Sequence, residues 1–326
     1  MSPISWTDEL RRREDLCRRA PSAHNTQPWA LRYAEDVITV HWDEDRALPA
    51  ADPTRRDLFL SLGAFVETCL VVAADAGLAV RAEISVDEAE HRVARLLPAD
   101  AAYRTPFTAD TVQRRRCARG PHAPGALSTQ VLARVLTQGA DLRTVPCRDL
   151  AGLLSSADRW LFGTPAVVAE LRDWLRLSPR HPRYRLDGLT DRALALSRVE
   201  AVGLAGALSP RAYRIGRRLG VPALLAAGSR GLLRYDGSVA VLVGHGDAPE
   251  DLVEHGRALL RVWLALTDLD LSVHPLSQLL DCATTAGRVR DVLRLDPDES
   301  ALAIFRVGRP LAEPAGSARV PAEVRP

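Results

Sequence analysis

Three stretches of the chain combine residue types that could hold a flat, phosphorylated heterocycle. The first is APSAHNTQPW, residues 20–29. Asn25 and Gln27 each carry a donor and an acceptor on one planar amide, and Pro21, Ser22 and Ala23 form a loop that offers backbone groups beside them. His24, inside the loop, is a candidate proton donor to a substrate. The plainer reading of this stretch is a capped turn over a buried Trp29. The second is RRRCARGPH, residues 114–122. Arg115 and Arg119 are four residues apart, so both guanidinium forks can reach one phosphate, with Cys117 between them. Standing alone, an arginine run is more usually a solvated face. The third is LDLSVHPLSQLLD, residues 269–281. Here Pro275, Leu276, Ser277 and Gln278 make a strand-to-helix turn beside His274, a second candidate proton donor. Its plainer reading is an ordinary turn capped by Ser277.

Composition limits the chemistry further. All 43 basic residues are arginine, so a Schiff-base lysine is excluded and any phosphate must be gripped by Arg, backbone N–H or hydroxyl. The net charge of +2 implies no strong field for nucleic acid or membrane, and neither is expected as a partner. The five cysteines are scattered without a C-x-x-C and read as reduced thiols. The eight histidines show no metal spacing, so no metal is expected. No G-x-G-x-x-G follows a strand, and no G-x-S-x-G occurs. With neither an apolar signal region nor a run of 18 apolar residues, a cytoplasmic location is expected.

The elements that must position these residues follow from periodicity. A helix is expected over 5–20, broken by Pro21–Trp29. A hairpin follows over 30–42, with Leu31, Tyr33, Val37, Thr39 and His41 at period two. Residues 53–77 form a strong helix stopped by Gly77, and 78–86 and 91–97 read as strands. Helix 126–138 is opened by Ser128. Residues 147–234 are largely helical but irregular, and are expected to form a lid or substrate wall. Then come strand 238–244, helix 249–268, strand 271–275, helix 277–294 and strand 301–308. A weak internal repeat relates 56–80 to 258–273, each a long helix leading into a strand.

The motifs together resemble the nitroreductase family. Pro21, Ser22, Asn25, Gln27, Pro28 and Trp29 match its P-S-x-x-N-x-Q-P-W loop. Arg115, Cys117 and Arg119 fall on its R-x-S-x-R phosphate motif, with a thiol where the family often has a hydroxyl. The turn 275–278 matches the segment over the flavin. The resemblance implies FMN as cofactor, a backbone N–H at Ser277 aimed at flavin N5, and a tail arginine on the phosphate: Arg319 first, then Arg306 or Arg309. Ordinary members are homodimers with a flavin at each interface. Here the loop and the arginines share one chain, and the PSxxNxQPW motif does not recur, which resembles the Acg branch. The expected fold is α+β, two related halves fused into an internal pseudo-dimer. They are a degenerate N-terminal half, 1–110, and a C-terminal half, 111–326, with one flavin site in the groove between them. The implied activity is two-electron reduction or dehydrogenation of a small organic substrate, with NAD(P)H a candidate partner. The alternative is a protein that sequesters FMN in a closed site. Monomer and homodimer both stay open.

Overall fold

The computed structural model describes residues 5–323. At the amino end, α1 (Trp6–Arg11) is capped by Ser5, whose Oγ accepts from the Asp8 N–H at 3.1 Å. The single helix expected over 5–20 is in fact two, because Arg13 leaves helical geometry before α2 (Glu14–Cys17). The bend carries Glu14 into the interior, where its carboxylate meets Arg18 at 2.7 Å and accepts from the Tyr33 hydroxyl at 2.8 Å. Next come β1 (Trp29–Tyr33), β2 (Ile38–Trp42), α3 (Arg56–Asp75), β3 (Val80–Asp87) and β4 (Arg92–Pro98), close to their expected limits. After α4 (Ala109–Arg114), α5 (Thr129–Leu136) opens on Ser128, whose Oγ accepts from the Val131 N–H at 3.2 Å.

The middle of the chain holds β5 (Asp141–Pro146), α6 (Cys147–Gly163), α7 (Pro165–Trp174), the short strands β6 (Leu175–Arg176) and β7 (Leu189–Thr190), α8 (Arg198–Ala207), α9 (Pro210–Gly216) and α10 (Val221–Ala227). The last part is β8 (Ser238–His245), α11 (Pro249–Thr267), β9 (Ser272–Pro275), α12 (Gln278–Asp281), α13 (Ala283–Leu293) and β10 (Glu299–Gly308). The helix expected over 277–294 is broken at Cys282, which is extended (φ −84°, ψ 111°). The Thr285 hydroxyl donates to the Leu279 and Cys282 carbonyls there (2.8 and 3.0 Å), satisfying groups the break would orphan.

Eight of the ten described strands form two four-stranded antiparallel sheets with one topology, and β6 and β7 make a short parallel pair. The first sheet has the order β1-β2-β4-β3 and the second β5-β8-β10-β9. In each, the first strand pairs the second, the second pairs the fourth and the fourth pairs the third. A long helix connects the second strand to the third: α3 in one, α11 in the other. The repeat in the sequence is therefore a repeat of a whole α+β unit.

Two compact units result, and they are interleaved along the chain. Of the described residues, the first unit takes 5–115, 247–268 and 319–323, and the second takes 116–246 and 269–318. The consecutive division expected near residue 110 thus gives way to one in which α11 joins α3. Glycine makes that contact: a Cβ on Gly63 would lie 1.9 Å from the Val253 carbonyl oxygen, and one on Gly256 2.2 Å from that of Leu60. Beside it, the buried Glu67 carboxylate accepts from Arg257 Nε (3.0 Å), Arg261 Nη1 (3.1 Å) and the Tyr103 hydroxyl (2.7 Å). Apolar packing and a compensated buried charge hold the same pair of helices together.

In the second unit the central strand β8 is buried on both faces, from Ser238 to Gly244, and one face builds the main apolar cluster. Val239, Val241 and Val243 of β8 pack with Leu150 and Leu154 of α6 and with Leu276 and Leu279. The expected lid over 147–234 is corrected at its start, because α6 is a core helix of this unit. The later helices gather a small cluster of their own from Val168, Leu208 and Tyr213. The fully buried Asp187 ties this region down, paired with Arg176 (3.0 Å) and Arg183. Burial pushes the Asp187 carboxyl up, but the two guanidinium groups outweigh it and hold its pKa below the ordinary carboxylate value.

Candidate functional site

The first unit brings the amino-terminal loop to two arginines. The loop is wound unusually, since His24, Asn25 and Gln27 all have positive φ (47°, 55° and 56°). Each such non-glycine residue costs about 1 kcal/mol or more, so tertiary contacts must hold it. They do. Ser22 Oγ accepts from the Gln27 N–H (2.9 Å), Arg46 Nη1 donates to the Thr26 carbonyl (2.6 Å), and the Ala23 N–H donates to Ser61 Oγ (3.3 Å). Trp29 stacks on Phe65, with centroids 4.7 Å apart. The tail closes over the loop: Gln27 Oε1 accepts from the Val320 N–H (2.9 Å), and Arg319 Nη1 donates to Asn25 Oδ1 (2.7 Å).

Arg319 Nη2 also donates to the Arg19 and Ala20 carbonyls (both 3.1 Å). Arg115 Nη2 donates to the same Arg19 carbonyl at 2.9 Å, and its guanidinium lies 6.0 Å over the Trp263 ring. Asn25, Arg115 and Arg319 are thus gathered round one turn, residues the sequence spaces almost the full length of the chain apart. Two details differ from expectation. Asn25 and Gln27 are 6% and 2% exposed, and their amides bind protein, so the accessible part of the loop is Pro21 to His24. Arg115 and Arg119 also part company, Arg115 belonging to the first unit and Arg119 to the second.

The second unit brings the remaining motif residues together. Cys117 forms a parallel bridge with Val273, and the Ala118 N–H donates to the Val273 carbonyl at 2.9 Å. This places Arg119 beside His274 and the turn that follows it. Arg119 is half-buried, and its Nη1 donates to the Ala193 carbonyl at a long 3.3 Å. Burial lowers its pKa below the usual arginine value. Arg306, by contrast, is buried with its guanidinium on the carbonyls of Leu232, Arg119 and Gly120. It clamps the backbone of the arginine motif, which removes it as a direct phosphate ligand, while Arg309 is exposed on the surface. No carboxylate pairs with Arg119 or Arg306 among the described residues.

The histidines here are neutral. Burial, with Arg306 nearby, pushes His122 down to about 4, and its Nε2 lies 3.1 Å from the Ala118 carbonyl. Burial holds His274 well below its ordinary value, and Arg119, Arg306 and His122 add to the effect. Burial thus favours the neutral imidazole at His274, which the sequence offers as a candidate proton donor. In the turn, Leu276 is fully buried and Gln278 Nε2 donates to Asp158 Oδ1 (3.2 Å), so both side chains serve the core. Ser277 is half-buried, and its N–H has no acceptor among the described residues. Sequence reasoning missed the clamp by Arg306 and the buried companion His122.

The repeated topology defines a two-half α+β protein, and its second unit gathers Arg119, Arg306, His122 and His274. No family model matches the chain. It is similar to the probable NAD(P)H nitroreductase PigM of Serratia sp. (strain ATCC 39006), at 26% identity over 86% of this chain and 83% of PigM. A shorter stretch, 24% of this chain and 23% of the relative, is 35% identical to the putative NAD(P)H nitroreductase Acg of Mycobacterium tuberculosis (strain H37Rv). The FMN-dependent nitroreductase NfnB from Mycobacterium smegmatis, solved in complex with NADPH, covers 62% of this chain and 89% of its own at 17% identity. Its TM-score of 0.37 is too low to bear on the fold. The chain is thus similar to proteins named NAD(P)H nitroreductases, along most of its length to PigM and over a shorter stretch to Acg.

Proposed function

We propose that this protein is an FMN-dependent oxidoreductase that draws hydride from NAD(P)H and acts on a small organic molecule, in keeping with the names of PigM and Acg. The observation that carries the reading is Arg119. A guanidinium that loses hydration without gaining a carboxylate is costly, and a bound phosphate would offset that cost. The residues present fit the cofactor. Arg119 would hold its phosphate, with the Cys117 thiol as a weak neighbouring donor. Arg115 and Arg319 of the first unit are the competing candidates, although their guanidinium groups also brace backbone carbonyls.

Bound FMN supplies two-electron hydride exchange. The Ser277 N–H would donate to the ring edge, where a fixed dipole favours the charge that builds up. His274, held neutral by burial, would orient the ring through its N–H. The test is the absorption spectrum of the purified protein before and after incubation with FMN. A flavin spectrum bleached by NAD(P)H is expected. A colourless protein that takes up no FMN overturns the reading. Arg119→Ala should weaken FMN binding by about ten- to a hundredfold. A wild-type affinity in that variant, with loss in Arg115→Ala and Arg319→Ala, would move the phosphate to the other pair.

A further inference from the structure

Helices α8, α9 and α10 carry a surface that the remainder of the fold does not use. Val199, Val202, Ile215, Leu219 and Leu224 are 60–82% exposed, and they are five of the eight strongly exposed large apolar side chains among the described residues. They are not a core face left uncovered. The same helices already bury Leu208, Tyr213 and Ala226, and the Tyr213 hydroxyl is anchored on the Phe162 carbonyl at 2.8 Å. The exposed side chains are a second apolar set, of a kind that marks an interaction surface.

Charge says what that surface meets. Arg211, Arg214, Arg217 and Arg218 are exposed among the apolar residues, and Arg198, Arg230 and Arg234 are exposed at the margins. The one acid between residues 198 and 234 is Glu200, and its carboxylate is held in the α8 capping box by the Ser197 N–H at 2.8 Å. The whole chain is only +2, so this concentration is invisible in the net charge from which no membrane partner was expected.

We propose that the α8–α10 face docks peripherally on an anionic lipid bilayer. Aliphatic side chains would enter the boundary of the acyl region while arginines stay with the headgroup phosphates. These helices have 10, 7 and 7 residues, too short to span, so they lie on the surface. The one described helix long and apolar enough to cross, α3, is itself 89% buried within the protein. A second copy on the same patch would oppose arginine to arginine across a two-fold axis. A nucleic acid would leave the five aliphatic side chains in water.

The test is co-sedimentation of the full-length protein with vesicles of phosphatidylcholine alone and of phosphatidylcholine mixed with phosphatidylglycerol. Binding is expected to the mixed vesicles, at least about tenfold above the neutral ones, and to collapse in high salt. The variant Arg211→Ala/Arg214→Ala/Arg217→Ala/Arg218→Ala should lose about fivefold per arginine. The variant Ile215→Glu/Leu219→Glu/Leu224→Glu should lose binding even at low salt. Both should keep wild-type circular dichroism, because none of the seven side chains is buried. Equal partition to both vesicle types, wild-type binding by both variants, patch-dependent dimerisation in light scattering without lipid binding, or capture of an oligonucleotide in place of vesicles would each overturn the proposal.

Discussion

The two halves share a strand order but differ most at the connection between their first and second strands. In the first half, β1 and β2 are joined by a tight turn closed by the Ala34 N–H on the Val37 carbonyl at 2.9 Å. At the equivalent place in the second half, β5 and β8 are separated by residues 147–237. Pro146 still pairs with Ser238 as Tyr33 pairs with Ile38, so the ladder reads the same in both. Most of the elaboration has gone into this connection, with α12 and α13 a smaller addition between β9 and β10, and the inserted helices carry both a core element, α6, and the apolar, basic face.

The comparison can be broken most forcefully at the helix pair. Gly63→Val forces a side chain against the Val253 carbonyl and should destabilise the protein by more than about 4 kcal/mol. Hydrogen exchange should show protection lost first in β1 to β4 and kept in β8 and β10. Simultaneous loss in both sheets would show that the units do not open separately.

A smaller effect is expected at Glu67. Glu67→Ala leaves Arg257 and Arg261 without their shared carboxylate and should cost about 3–5 kcal/mol in denaturant unfolding. A loss below about 1 kcal/mol would mean that the ion cluster contributes nothing beyond packing.

The smallest of the three lies in the insertion. Asp187→Asn should cost about 1.5–3 kcal/mol at neutral pH. The folded pKa of Asp187 is below its unfolded one, so its contribution is complete above the ordinary carboxylate range. It is lost as pH falls through the folded value. The wild type and the variant should therefore converge in acid, and a gap that stays constant there would refute the ion-pair account.

Much of this architecture could be read from the residues. Period-two and period-3.6 patterns located the hairpin, α3, α11 and the last strand, because one-sided burial writes itself into local sequence. β5 was not recognised, since Leu142, Arg143, Thr144 and Val145 are all half-buried at a sheet edge and show no clean alternation. The break at Arg13 goes with the burial of Glu14 against Tyr33, and that at Cys282 with the Thr285 hydroxyl on two carbonyls, and neither leaves a periodic signal. Motif positions were legible, but their roles were only partly so. Arg119 and Arg306 are chemically alike, and only the fold shows that one makes a single long bond to the Ala193 carbonyl while the other clamps three carbonyls. Asn25 and Gln27 looked like ring contacts, because neither a positive φ nor a bond to the tail three hundred residues away is written locally.

The pairing of Pro146 with Ser238 has a further consequence. Everything between them departs and returns at a single rung, so the stretch beyond α6 can be lengthened or exchanged without shifting a hydrogen bond of the four-stranded sheet. Ring-closure entropy grows only with the logarithm of length, which makes such changes inexpensive. Relatives that keep this scaffold are free to diverge in substrate and in anchorage by rewriting that one excursion.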